Sequence, residues 1–209
     1  MHIGIGGSAA NPPHIGHKTL LECLVRSGRF QRIIWLPSGI REDKVDFVAS
    51  EHRVSMTKMT FAAIDRMSSQ TKVEILFDDV YGENHPTIWW LEKIQRENSN
   101  DEVVWYTGAD SVTPEKKYNG KCEIEETWVQ GRDLMENWKF LIISRKGFPN
   151  PKMLKLPKQF EIFDNDLSDI RSSDIRKRIA NGLPFEHLVV PDVAQYIKEN
   201  HLYGYKDLN

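Results

Sequence analysis

Isoleucines at positions 3 and 5 alternate with glycines in the opening HIGIGG, the two-residue period of a strand. Leu20, Leu21, Leu24 and Val25 then recur at helical spacing until Gly28, a residue type that commonly ends helices. RIIWLP at 32–37 is a buried-strand run closed by Pro37, and Ser50 caps a helix carrying Val54, Met56, Met59, Ala62 and Ala63. VEILF at 73–77 reads as a strand, and a helix is expected from Thr87 to Glu97. VVWYTG at 103–108 is a strand running into a Gly-Ala-Asp turn, and KFLIIS at 139–144 is another strand. From Pro114 to Asn137 charge is dense and periodicity weak, which predicts a long connection with one short helix near Arg132 to Glu136. The last stretch offers EIF at 161–163, a helix from about Ser173 to Asn181, and another opened by Pro191 at a first-turn position. Strands alternating with helices at this rhythm predict an α/β fold, Rossmann-like and doubly wound. Its sheet is mostly parallel with helices on both faces, and the ligand site lies beyond the strand C-termini.

Composition narrows the partners. A length of 209 residues, at roughly 150 per domain, predicts one domain over 1–209. Lys and Arg number 28 against 30 Asp and Glu, a formal charge of −2, so no global basic field recruits nucleic acid or an anionic membrane. Any phosphate must be gripped locally. No run reaches the ~18 apolar residues of a membrane span, and the opening lacks the basic-then-apolar order of an export signal. Cys23 and Cys122 lack C-x-x-C spacing, and Cys23 falls within an apolar helical pattern that a buried reduced thiol would suit. Together these features predict a cytoplasmic protein; oligomeric state, a homo-oligomer included, is left open.

The densest chemical cluster is Gly7-Ser8-Ala9-Ala10-Asn11-Pro12-Pro13-His14-Ile15-Gly16-His17, between the first strand and the first helix. Glycine and small residues at Gly7 and Ser8 let backbone approach a phosphate. The helix N-terminus offers free N–H groups, and imidazoles three apart can face one ligand. A polyphosphate suits that combination better than an incidental pair of histidines does. Gly4-Ile5-Gly6-Gly7-Ser8-Ala9 also matches the G-x-G-x-x-A dinucleotide fingerprint formally, which would imply hydride transfer. Against it, only three residues precede Gly4, and Pro12-Pro13 fall where the helix should propagate. Downstream, Ile170-Arg171-Ser172-Ser173-Asp174-Ile175-Arg176 puts hydroxyls and a guanidinium on a helix start, which serves equally as an anion grip or as an ordinary N-cap. His2, His52, His85, His187 and His201 have no partner spacing and read as surface or structural. His14 and His17 alone do not make a zinc site, so no metal ligands are assigned.

GSAANPPHIGH joined to IRSSDIR resembles the nucleotidyltransferase superfamily with its HxGH and ISSTxIR signatures, and most closely the bacterial nicotinate-nucleotide adenylyltransferases. The resemblance spans nearly the whole chain. Ser50-Glu51-His52-Arg53 with Met56, Thr107-Gly108-Ala109-Asp110, Trp128, FLIISRKGF and the closing LPFEHLVVPDVAQYIKENHLYG all stand in family order. The resemblance implies adenylyl transfer from ATP to nicotinate mononucleotide, giving deamido-NAD and pyrophosphate. It makes His14, His17 and Arg176 catalytic, with Ser172 and Ser173 joining Arg176 on the β/γ-phosphates and Mg²⁺ bridging them. It places Gly108 and Asp110 on adenosine, Lys44 on a phosphate, and Thr87 and Trp128 on the pyridine side. Residues 165–209 become a C-terminal helical part completing the phosphate site. This chain departs from the family at Ser8, Ala9 and Ala10, at Ile40 to Lys44, and at His85-Pro86, mostly toward the acceptor. Nicotinamide mononucleotide, another phosphorylated acceptor, or a non-catalytic nucleotide-binding role are therefore the alternatives.

Overall fold

The computed structural model describes residues 1–39 and 47–206. Six strands, β1 (His2–Ser8), β2 (Arg32–Pro37), β3 (Lys72–Ile75), β4 (Glu102–Gly108), β5 (Lys139–Arg145) and β6 (Phe160–Leu167), form one sheet in the order β3-β2-β1-β4-β5-β6. Every pairing is parallel. The winding reverses between β1 and β4, so a crevice opens where their C-terminal ends diverge.

The isoleucine–glycine alternation of β1 has a packing cause. Ile3 and Ile5 are fully buried on one face, among Ile34, Leu91, Ile94 and Trp105. The glycines face the other way, where a Cβ on Gly4 would stand 2.9 Å from the Phe30 ring and one on Gly6 2.5 Å from the Tyr106 ring. The two rings occupy the volume the absent side chains leave, and the Tyr106 hydroxyl donates to the Ile34 carbonyl at 2.9 Å. Gly4 and Gly6 are thus strand residues beneath aromatic rings, which disposes of the dinucleotide-fingerprint alternative. Burying side chains of this size contributes roughly 1.5–3 kcal/mol each.

Helix α1 (Ile15–Ser27) covers the glycine face with Leu21, Leu24 and Val25, and ends at Gly28, whose φ of 63° needs no Cβ. Helix α2 (Ser50–Phe61) adds Phe61 to that face, while its Met56 turns to the C-terminal helices. A one-turn helix α3 (Asp78–Tyr81) leads to α4 (Thr87–Glu97), whose Ile88, Trp90, Leu91 and Ile94 cover the opposite face. Two short helices, α5 (Glu123–Thr127) and α6 (Gly131–Asn137), extend that cover with Ile124 and Leu134. Helices α7 (Ser172–Ala180) and α8 (Pro191–Glu199) share a third core with Met56, built on Ile175, Ile179, Val193 and Ile197.

The sequence reading differs from this in detail. The 114–137 connection holds α5 as well as α6, and β3 stops at Ile75, short of Phe77. Cys23 is only partly buried on α1, whereas Cys122 is the buried thiol, and both are unpaired.

Candidate active site

Beyond Ser8 the chain leaves the sheet and folds back on itself. Ala10 is buried at φ 47°, the Asn11–Pro12 peptide is cis, and His14 caps α1 in an extended conformation. The Ser8 hydroxyl accepts the Ala10 N–H at 3.2 Å. The His14 N–H donates to Nδ1 of His17 at 3.2 Å, and the two rings stack with centroids 3.7 Å apart. The intervening glycine is required by contact: a Cβ on Gly16 would lie 3.0 Å from the His14 ring and 3.2 Å from the Ser168 hydroxyl. His17 meets the edge of Trp35 at 5.3 Å, and Nδ1 of His14 is buried with no hydrogen-bond partner among the described residues.

Both imidazoles are neutral near pH 7. Burial, and then the Arg145 guanidinium, lowers His14 to about 3. Burial holds His17 well below its ordinary value as well, with His14 and Arg145 adding to the effect. Since Nδ1 of His17 accepts a backbone N–H, its proton sits on Nε2, a neutral donor available to an incoming oxygen.

Arg145 is the site residue the sequence reading missed. It ends β5 and donates to the Asp110 carboxylate at 2.8 Å and to the Ile170 carbonyl at 3.1 Å, tying the β4 turn to the approach to α7. Gly108 permits this, because its Cβ would fall 2.3 Å from Asp110 Oδ1. Gly108 and Asp110 are thus tied to the approach to α7 through Arg145, whose charge is felt at both histidines.

The second signature meets the loop from behind. The Ser172 hydroxyl donates to the Pro12 carbonyl at 2.9 Å and Arg176 to the Asn11 carbonyl at 2.8 Å, across 160 and 165 residues of chain. Both fasten the loop. Ser173 sits on the first turn of α7, whose leading N–H groups have no acceptor within the helix. On α2, Arg53 is fully buried, donates to the Ser38 carbonyl and lies over the Phe47 ring at 4.6 Å. Burial lowers it to about 10, which still leaves it a cation at neutral pH.

Thr87 and Trp128, the expected acceptor residues, belong to the side of the sheet that α4 and α5 cover. Thr87 opens α4, which runs back toward the start of β4, so its N-terminus stands at the end of the sheet where the strands terminate. Just before it, His85 gives and receives nothing at random: Asp79 Oδ1 lies 2.8 Å from its Nδ1, and its ring stacks on Trp89 at 3.8 Å. The other Asp79 oxygen accepts from Trp90 Nε1 at 2.9 Å. Trp128 is partly buried and packs against Trp105 and Phe140, a core contact. Lys44 lies outside the described residues.

A parallel 3-2-1-4-5-6 sheet with a stacked histidine pair and an arginine at its switch point defines a nucleotide-handling α/β protein. The chain belongs to the cytidylyltransferase-like family, whose model matches residues 5–178. It is 29% identical to a probable nicotinate-nucleotide adenylyltransferase of Carboxydothermus hydrogenoformans, covering 96% of this chain and 97% of that one. It is 25% identical to the nicotinate-nucleotide adenylyltransferase of Bacillus subtilis, at 96% and 97% coverage. Among solved structures, the Plasmodium falciparum nicotinic acid mononucleotide adenylyltransferase complexed with NaAD superposes with a TM-score of 0.79 at 23% identity, over 98% of each chain.

Proposed function

We propose that this protein transfers the adenylyl group of ATP to nicotinate mononucleotide, releasing pyrophosphate and deamido-NAD. The observation that carries the reading is the neutral stacked pair His14–His17 within the field of Arg145. A 5′-phosphate oxygen of the mononucleotide attacks the α-phosphorus of ATP, a new P–O bond forms, and the bond to the bridging α–β oxygen breaks. Such transfers depend on positioning and on stabilising spread negative charge. The histidines supply N–H donors without charge, so neutralisation falls to Arg145 and the α7 N-terminus. Ser172, Ser173 and Arg176 complete the β/γ-phosphate grip within a C-terminal part spanning 165–209.

Among the described residues no group of three His, Cys, Asp or Glu could hold a metal ion, and Asp110 is paired with Arg145. Magnesium fits as an ion carried by the phosphate oxygens, where it would offset their charge. Two unpaired cysteines accord with a cytoplasmic setting, and among the described residues no helix is long and apolar enough to cross a membrane.

The test is pyrophosphate release with ATP against nicotinate mononucleotide, nicotinamide mononucleotide, and sugar and pantetheine phosphates. Turnover with nicotinate mononucleotide alone, or in clear preference, is expected. Turnover confined to a non-pyridine phosphate would replace the acceptor, and no turnover with any would remove the reading.

A further inference from the structure

The arc from Ala10 to His14 carries the histidine pair yet lies outside the strand ladder, whose last bond on this side is Ser38 N–H to the Ser8 carbonyl at 3.0 Å. Its position is therefore set by bonds from elsewhere. Arg176 and Ser172 hold the carbonyls of Asn11 and Pro12. The Asn11 side chain is fixed separately: its Oδ1 accepts the Val48 N–H at 3.4 Å and the hydroxyl of Tyr203 at 2.9 Å, across 192 residues of chain.

Tyr203 reaches Asn11 only because the backbone bends to deliver it. It adopts φ 57° and ψ 26°, the left-handed region, between His201 at φ 48° and Gly204 at φ 76°. For a bulky residue that conformation is strained and persists where surroundings impose it. Leu202 anchors this turn in the third core and the Tyr203 ring packs against the same core, so apolar burial accounts for the ring, and the bond its hydroxyl makes to Asn11 is the part that burial does not supply. Burial raises the Tyr203 phenol above its ordinary range despite the opposing Arg176 and Arg53 guanidiniums, which keeps the hydroxyl protonated and a donor.

We propose that Tyr203 is a positioning residue for the nucleotide loop: its hydroxyl orients Asn11, and through Asn11 the arc that sets His14 and His17 against the triphosphate. The role rests on the adenylyl-transfer reading for its chemistry, while its effect on nucleotide binding does not require an acceptor.

Tyr203→Phe keeps the ring and deletes the donor; Leu202→Ala deletes apolar burial and keeps the donor. For Tyr203→Phe, with one buried acceptor left short of a partner, we expect KM for ATP to rise about fivefold and kcat to fall about tenfold. KM for the pyridine mononucleotide should stay within about twofold, with the thermal midpoint little changed. Leu202→Ala should lower the midpoint and leave both KM values in place. Calorimetry with a non-hydrolysable ATP analogue should show about fivefold weaker binding to Tyr203→Phe. If wild-type chain binds the analogue more tightly than the variant yet transfers to no pyridine nucleotide, the acceptor reading falls and the positioning role stands. Wild-type kinetics and analogue affinity in Tyr203→Phe would overturn it, as would both KM values rising together with a lowered midpoint.

Discussion

The two sides of the crevice are built on opposite plans. On the nucleotide side, a loop from the first strand is fastened by Ser172, Arg176 and Tyr203, all more than 150 residues downstream. On the α4 side, Asp79 gathers His85 and Trp90 from six and eleven residues away, and His85 stacks on Trp89. A long-range assembly ties the loop to distant parts of the fold, so a change at Ser172, Arg176 or Tyr203 acts on the loop's position. A local assembly can exchange its members while the sheet stays put.

The comparison breaks first at the histidines. His17→Ala should lower kcat by about 10²-fold or more with the fold intact, because it removes a transition-state donor. His14→Ala should behave alike, and steady-state turnover at saturating ATP checks both. Retained turnover in either would mean that the nucleotide side does not perform the chemistry.

Acid should act on the histidine pair. Above about pH 6.5 the histidines are neutral whether the chain is folded or unfolded, and they contribute no pH dependence to stability. Below it the unfolded chain takes up protons that folded His14 refuses until about pH 3. Stability therefore falls across that window, by about 2 kcal/mol from His14 between pH 7 and 5. Urea unfolding at the two pH values measures it, and His14→Gln should flatten the slope.

Smaller effects separate the two sides. Arg176→Lys keeps the charge and loses the planar fork, so KM for ATP should rise roughly tenfold at fixed acceptor. Asp79→Asn should leave KM for ATP alone and raise the mononucleotide KM several-fold (~5), since it loosens the His85 and Trp90 contacts. An equal rise in both constants would erase the distinction. Finally, nicotinate mononucleotide should exceed its amide by roughly tenfold in kcat/KM, the scale of one mismatched polar group. Parity, or preference for the amide, would reverse that assignment and leave adenylyl transfer standing.

The nucleotide side was also the more legible in sequence. HIGIGG, the H-x-G-H spacing and the Gly28 stop are local patterns, and each corresponds to a contact in the fold. Arg145 was overlooked because its meaning is not local: it follows an ordinary strand run and matters only because β5 lies beside β4. Its place at a strand C-terminus in a parallel sheet was the signal that could have found it. Ser172 and Arg176 also bond the carbonyls of Pro12 and Asn11, across 160 and 165 residues, which no spacing could indicate. Helices α3 and α5 have four and five residues, too few to show a period. Trp128 illustrates the opposite difficulty, since an aromatic suited to stacking on a ligand looks the same in sequence as one packed on Trp105 and Phe140.

The distance between Asn11 and its partners also orders events during synthesis. At about 5–20 residues per second, a ribosome that has made Asn11 takes on the order of 10–40 s longer to deliver Tyr203. Throughout that interval the nascent chain can pair β1 with β2, then with β4, while the loop between β1 and α1 lacks the bonds that shape it. With Tyr203 in the role proposed for it, nucleotide competence is the last property the chain acquires, and a product cut off before residue 203 should carry both histidines without the bond that sets Asn11.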